Sequence, residues 1–223
     1  MTRRLLAGLA VATLLAGCSS GDSDGGTQRA GDQQAPRPDA GRDAAGRDAS
    51  AQAPDGLGPI DPPAGFTMVT GQGFTVFAPE TFTTEQRRSS NGEPMLVLTG
   101  PGPATGDDQA MVGVVREVNP SAGALEQSDT LESAKRLVDQ ATDVRRTVVA
   151  WPGAREAVLV EWTVQERMAG PAPRMQAVRT VQLFADVDDR LGLTVVAVAP
   201  ADSFEASQVL TVLRTFRPAK ATS

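Results

Sequence analysis

The chain predicts an α+β domain in which a twisted antiparallel β-sheet carries two main helices packed on it. Three observations lead there. Short β-rich runs are joined by turn dipeptides such as Asn91-Gly92, Pro152-Gly153 and Asp188-Asp189, which read as hairpin connections. Residues 157–167 alternate, with Val158, Val160, Trp162 and Val164 on one side of the pleat. Two stretches show helical apolar spacing behind a capping pattern, one opened by Asp129 and Glu132 and the other by Asp202 and Glu205.

The globular pattern begins at residue 64. Phe66–Thr70 and Gly73–Ala78 are β-rich runs joined by Gly71-Gln72, and Pro79-Glu80 closes the second. Phe82–Arg88 reads as a polar edge strand ending at Asn91-Gly92. Met95–Thr99 and Ala110–Val118 are apolar enough for interior strands, with the loop Gly100–Asp108 between them. The first helix places Leu131, Ala134, Val138 and Ala141 on its apolar face, widened by Leu137. Strands over Val144–Trp151 and Ala157–Arg167 follow, then a hairpin of Arg174–Val187 and Leu191–Ala199. The second helix carries the stripe Val209, Val212, Leu213 and Phe216 before Pro218.

Ahead of this domain lie two segments of other kinds. Arg3 and Arg4 precede an apolar run from Leu5 to Ala16, too short to span a bilayer, and Leu15-Ala16-Gly17-Cys18 matches the bacterial lipobox. Residues 1–17 therefore read as a lipoprotein signal peptide and Cys18 as the lipidated N-terminus. The expected location is the extracytoplasmic face of the cell membrane, reached by the general secretory route. One acyl chain holds a protein to a membrane only marginally, and the two or three of bacterial lipidation meet the need for more.

Residues 18–63 are Gly/Ala/Asp/Pro-rich, and Ala40–Ala44 repeats at once as Ala45–Ala49. So few apolar residues cannot offset ordering entropy, which predicts a disordered tether of roughly 35–40 Å average span. The domain is expected to cover 64–220, about 160 residues, enough to bury about 70% of its unfolded surface.

Composition narrows the chemistry. The chain has no histidine and one cysteine, so with Cys18 acylated there is no Ser-His or Cys-His pair, no imidazole ligand and no disulfide. Neither Lys135 nor Lys220 has a serine three residues before it, and Gly71-Gln72-Gly73 lacks the further glycine of a phosphate loop. A net charge of −6 argues against a nucleic-acid partner and against electrostatic attraction to anionic lipids. No cofactor and no metal are expected. Asp186, Asp188, Asp189 and the pair Asp107-Asp108 are spaced as turn residues, not as a calcium loop.

Three passages carry a resemblance. They are Gly73-Phe74-Thr75-Val76-Phe77-Ala78-Pro79, the strand Leu193–Ala199 running into Pro200-Ala201-Asp202-Ser203-Phe204, and the closing Val212-Leu213-Arg214-Thr215-Phe216-Arg217. With the lipobox, they make residues 65–218 resemble the actinobacterial LpqN-type lipoproteins, whose domain has the PsbP-like fold. The resemblance implies helices on a sheet and a non-enzymatic binding or assembly role at the cell envelope. It carries over no functional residue.

Candidate ligand contacts come from the residues themselves. Trp151 and Trp162 are amphipathic, with core packing as the competing reading for both. Arg179 interrupts the apolar series Met175, Ala177, Val181 and Leu183, so it has to be paired or line a cavity between sheet and helix. The expected function is a monomeric, membrane-anchored module that binds an envelope lipid, glycolipid or protein without catalysis. A carboxylate-based hydrolase of envelope carbohydrate or lipid and a purely structural lipoprotein are the alternatives.

Overall fold

The computed structural model of the protein describes residues 56–101, 110–168 and 174–219. The signal segment, Cys18, the five-residue repeat, Asp107-Asp108 and Lys220 lie outside them. Alternation builds the first hairpin. In β2 (Phe74–Pro79), Phe74, Val76 and Ala78 are buried while the residues between them are not. β2 pairs antiparallel with β1 (Phe66–Gly71) through Gln72-Gly73, where Gly73 takes φ +85°. Gly71 lies flush under the Phe74 ring, which leaves no room for a Cβ.

The sequence placed this hairpin in one continuous sheet; the structure places it in a second. β2 takes its other neighbour from the far end of the chain, β10 (Arg217–Pro218), giving the order β1-β2-β10. The remaining strands are β3 (Thr83–Arg88), β4 (Pro94–Thr99), β5 (Met111–Val118), β6 (Thr142–Val148), β7 (Glu156–Met168), β8 (Arg174–Asp186) and β9 (Leu191–Pro200). They form an antiparallel seven-stranded sheet of order β3-β4-β5-β9-β8-β7-β6. β3 is an edge strand, exposed at every position, as its polarity predicts.

Each face of the large sheet has its own core. Val112, Val114, Leu159, Val181, Leu183 and Val195 point to the face covered by the small sheet and α2 (Val209–Arg214). Val158, Val160, Trp162 and Phe184 point to the opposite face, beneath α1 (Ala124–Leu137). β7 thus buries both sides along its first half, and becomes wet only beyond Trp162.

Both helices depart from their expected starts. α1 begins five residues before Asp129, because its cap comes from another strand: Asp186, at the end of β8, accepts the Ala124 N–H at 2.9 Å. That carboxylate is buried and sits at the positive end of the helix. Asp129 lies inside the helix, and Leu137 and Val138, read as part of the apolar face, are 81% and 67% exposed. The second capping pattern starts no helix. Residues 201–207 are turns that bury Phe204 completely, and α2 follows as six residues after Gln208 in the left-handed region.

The expected boundary at residue 64 also moves. Leu57 is buried in the main core, the Ile60 N–H donates to the Arg214 carbonyl at 3.0 Å, and Arg214 and Arg217 donate to the carbonyls of Gly58 and Ile60. Residues 56–63 are therefore a strap on the domain, held by the buried Leu57 side chain and by main-chain bonds at Gly58 and Ile60.

The capping carboxylate has a neighbour. Burial raises the Glu117 carboxyl above its ordinary value; the Gln127 amide at 3.2 Å opposes this, and the Glu93 and Asp186 charges add to it. A carboxyl whose folded value is raised binds its proton more tightly when folded, so stability falls as pH rises through that raised value. Glu117→Gln is expected to stabilise the protein at neutral pH. The gain should shrink as pH falls and vanish below the ordinary glutamate value of about 4.3. Urea midpoints of both proteins across this range check it; a gain independent of pH would contradict it.

Candidate functional site

Arg179 lies where sheet and helix meet. On β8 it stands opposite Thr163 and Ala199, on the face that carries the main core. Its guanidinium covers the buried Phe204 ring, 4.6 Å from the centroid, a cation–π contact. One arm reaches Glu205 at 2.8 Å and the other Glu161 at 3.3 Å. Its side chain is 30% exposed, neither in open solvent nor sealed in.

These pairs belong to a longer row. Arg145 on β6 stands directly opposite Glu161 on β7, with 4.0 Å between their charged atoms. Glu161 opposes Val181, which puts Arg179 on its diagonal. The turn after β9 then brings Glu205 to the far side of Arg179. The result is an alternating row, Arg145–Glu161–Arg179–Glu205, running along one wall of a cleft of about 310 Å³. α2 supplies the opposite wall with Thr211 and Arg214, and the strap closes one end with Gly56 and Leu57. Arg214 is oriented by its bond to the Gly58 carbonyl at 2.7 Å.

Charge of both signs is the chemical character of this cleft. Arginines present planar forks of donors, and the glutamates present acceptors. Arg145 is the freest member, 72% exposed and held only by the long contact to Glu161. Three arginines against two glutamates leave an excess of donors facing the opening.

The two tryptophans are elsewhere. Trp151 is 4% exposed in the main core, and its indole N–H donates to the Phe216 carbonyl at 2.9 Å. Trp162 is 6% exposed under α1, on the opposite face of the sheet, with the Lys135 ammonium 5.0 Å from its ring. Neither reaches the cleft, so Arg179 is brought together with residues the sequence reading did not single out as ligand contacts: Arg145, Glu161, Glu205 and Arg214. The acidic turn is also accounted for. Asp186 caps α1, Asp188 accepts the Arg190 N–H, and Asp189 pairs with Arg155.

No family model matches the chain, and no curated protein does either. Solved structures similar to it include LpqN of Mycobacterium tuberculosis, described as involved in cell envelope biogenesis. That match has 12% identity and a TM-score of 0.45, covering 69% of this chain and 91% of that one. Cyanobacterial PsbP (CyanoP) of Synechocystis is similar at 13% identity and a TM-score of 0.42, covering 70% and 93%. A protein of unknown function from Pseudomonas aeruginosa is similar at 14% identity and a TM-score of 0.39, covering 67% and 94%. Such likeness gives no residue a role; the cleft has to be read from its own chemistry.

Proposed function

We propose that the protein is a non-catalytic binding module of the cell envelope, held at the membrane through lipidated Cys18, whose cleft receives the polar part of a glycolipid or glycan. The alternating row Arg145–Glu161–Arg179–Glu205 supports this reading most directly. A sugar hydroxyl both donates and accepts, so a polyol can bond both signs of such a row, whereas an acyl chain would take water from these ion pairs and offer no hydrogen bond in its place. The cleft volume of about 310 Å³ is at the lower end of small-molecule sites, which suits a headgroup.

The hydrolase alternative has less behind it. Glycoside cleavage uses an acid and a base or nucleophile on either side of the bond. Glu161 and Glu205 instead both accept from the one guanidinium between them. Membership of the LpqN-type, PsbP-like lipoproteins is part of the same proposal.

The test is native mass spectrometry of residues 19–223, made in the native host and purified without detergent. A hexose-containing adduct is expected on the wild-type protein and is expected to be lost in Arg145→Ala. Arg145 is exposed enough for this change to leave the fold intact. A clean unliganded mass, with partners captured only by cross-linking in cells, would sink the glycan reading. Release of free sugar that stops in Glu161→Gln would favour the hydrolase.

A further inference from the structure

A second site lies under the first hairpin, on β3, β4 and β5, away from the strands that build the cleft. Along β5 the face carrying Val112 and Val114, both almost fully buried, continues at the next alternate position with Arg116. Arg116 stands opposite Leu193, itself 1% exposed. Its Nε is buried and has no acceptor, alone in this among the side-chain polar atoms of the described residues. No described carboxylate pairs with it. Arg116 as a whole is half-buried, but this one N–H has lost its water and gained no acceptor, so the native molecule is expected to supply one.

The space for an acceptor is present. A cavity of about 60 Å³ opens beside Arg116, several times the ~10–15 Å³ that a single water needs and room for one small oxyanion. The side chains that share this face and line it are Gln86, Leu96, Val114 and Arg116, with Gln72 and Phe74 from the hairpin above, while those of Arg87 and Met95 alternate to the other side of the pleat; the lining contains no carboxylate. Arg87 is partly engaged by Glu85 at 2.6 Å. Gln72 is delivered by the turn that Gly71 and Gly73 make possible.

We propose that Arg116 and these neighbours form a receptor for a single phosphate-class oxyanion. A tetrahedral anion has enough oxygens to accept from Arg116 and from the glutamine amides together, whereas a carboxylate offers two. The phosphate belongs either to a soluble phosphoryl compound or to a phospholipid headgroup, and the chemistry of the site is the same for both.

Arginine Nε–H resonances of the full chain, in micelles of a neutral detergent, report on this atom. Titration with inorganic phosphate at constant ionic strength should shift the Arg116 signal saturably, while chloride does not. The shift should disappear in Arg116→Gln and weaken several-fold in Gln86→Glu, which adds a like charge at an exposed edge position and cannot harm the core. If Arg116→Gln fails to fold, Gln86→Glu decides alone. No saturable shift, a shift that chloride reproduces, or one unaltered in Gln86→Glu overturns the proposal. Phosphatidylglycerol added to the micelles separates the sources. If it displaces phosphate, the ligand is a lipid headgroup; if it does not while phosphate still binds, the ligand is soluble.

Discussion

Phe216→Ala is expected to destabilise the domain by about 3–5 kcal/mol, the range for truncating a buried aromatic. Phe216 is fully buried at the junction of α2 and β10, its ring 5.7 Å from that of Phe74 at 43°. Its carbonyl also receives the Trp151 indole, so displacing the backbone here would leave a second buried group unpaired. Set against a total stability of about 5–15 kcal/mol, that loss is a large share of the margin. The melting temperature should fall by roughly 10 °C. Phe216→Leu, which keeps most of the volume, should cost under about 1.5 kcal/mol. Urea unfolding of both variants checks this, and equal losses would show that volume at this position is not what matters.

Asp186→Ala is the second large effect, expected at about 1–3 kcal/mol. Opposing terms meet at this carboxylate. It satisfies the Ala124 N–H and lies at the positive end of α1, both favourable, while its charge repels Glu117 nearby. Alanine removes all three; asparagine keeps an acceptor, loses the helix charge and relieves Glu117. Asp186→Asn is therefore expected to cost less than Asp186→Ala, and its cost should grow in a Glu117→Gln background, where no repulsion is left to relieve. Additive losses in that double-mutant cycle would mean that the two carboxyls do not communicate. The loss should appear first as faster amide exchange in α1, the one helix among the described residues that covers the second core.

The two changes mark where sequence stops being enough. Hairpins could be read because their information is local: Asn91-Gly92 and Asp188-Asp189 sit between runs whose alternation declares itself, and the strands were found within a few residues of their bounds. Capping was misread because the residue that caps α1 is Asp186, more than sixty positions from the helix, while Asp129 only imitates the pattern. The separation of β1 and β2 into their own sheet rests on Pro218 pairing with Phe74, which no local spacing encodes.

Of the cleft, Arg179 was legible because a charge broke an apolar row. Arg145 and Glu161 were not, since on a strand's polar side they look like any other solvated pair. Arg214 was hidden by the apolar stripe around it. The indoles drew attention as contact residues, yet each is held by packing that a sequence does not display.

The small sheet is made of the two ends of the described chain. Phe77 exchanges bonds with the Thr215 hydroxyl, Ala219 donates to the Gly73 carbonyl, and Ile60 bonds the Arg214 carbonyl. During synthesis, β2 has no partner for its outer edge, and Phe74 no aromatic partner for its ring, until residues 215–219 have left the ribosome. The nascent chain can gather the central hairpins early, but its main core stays open to water until α2 and β10 have been made. A chain cut just before α2 would thus be not a slightly shorter domain but one that never closes.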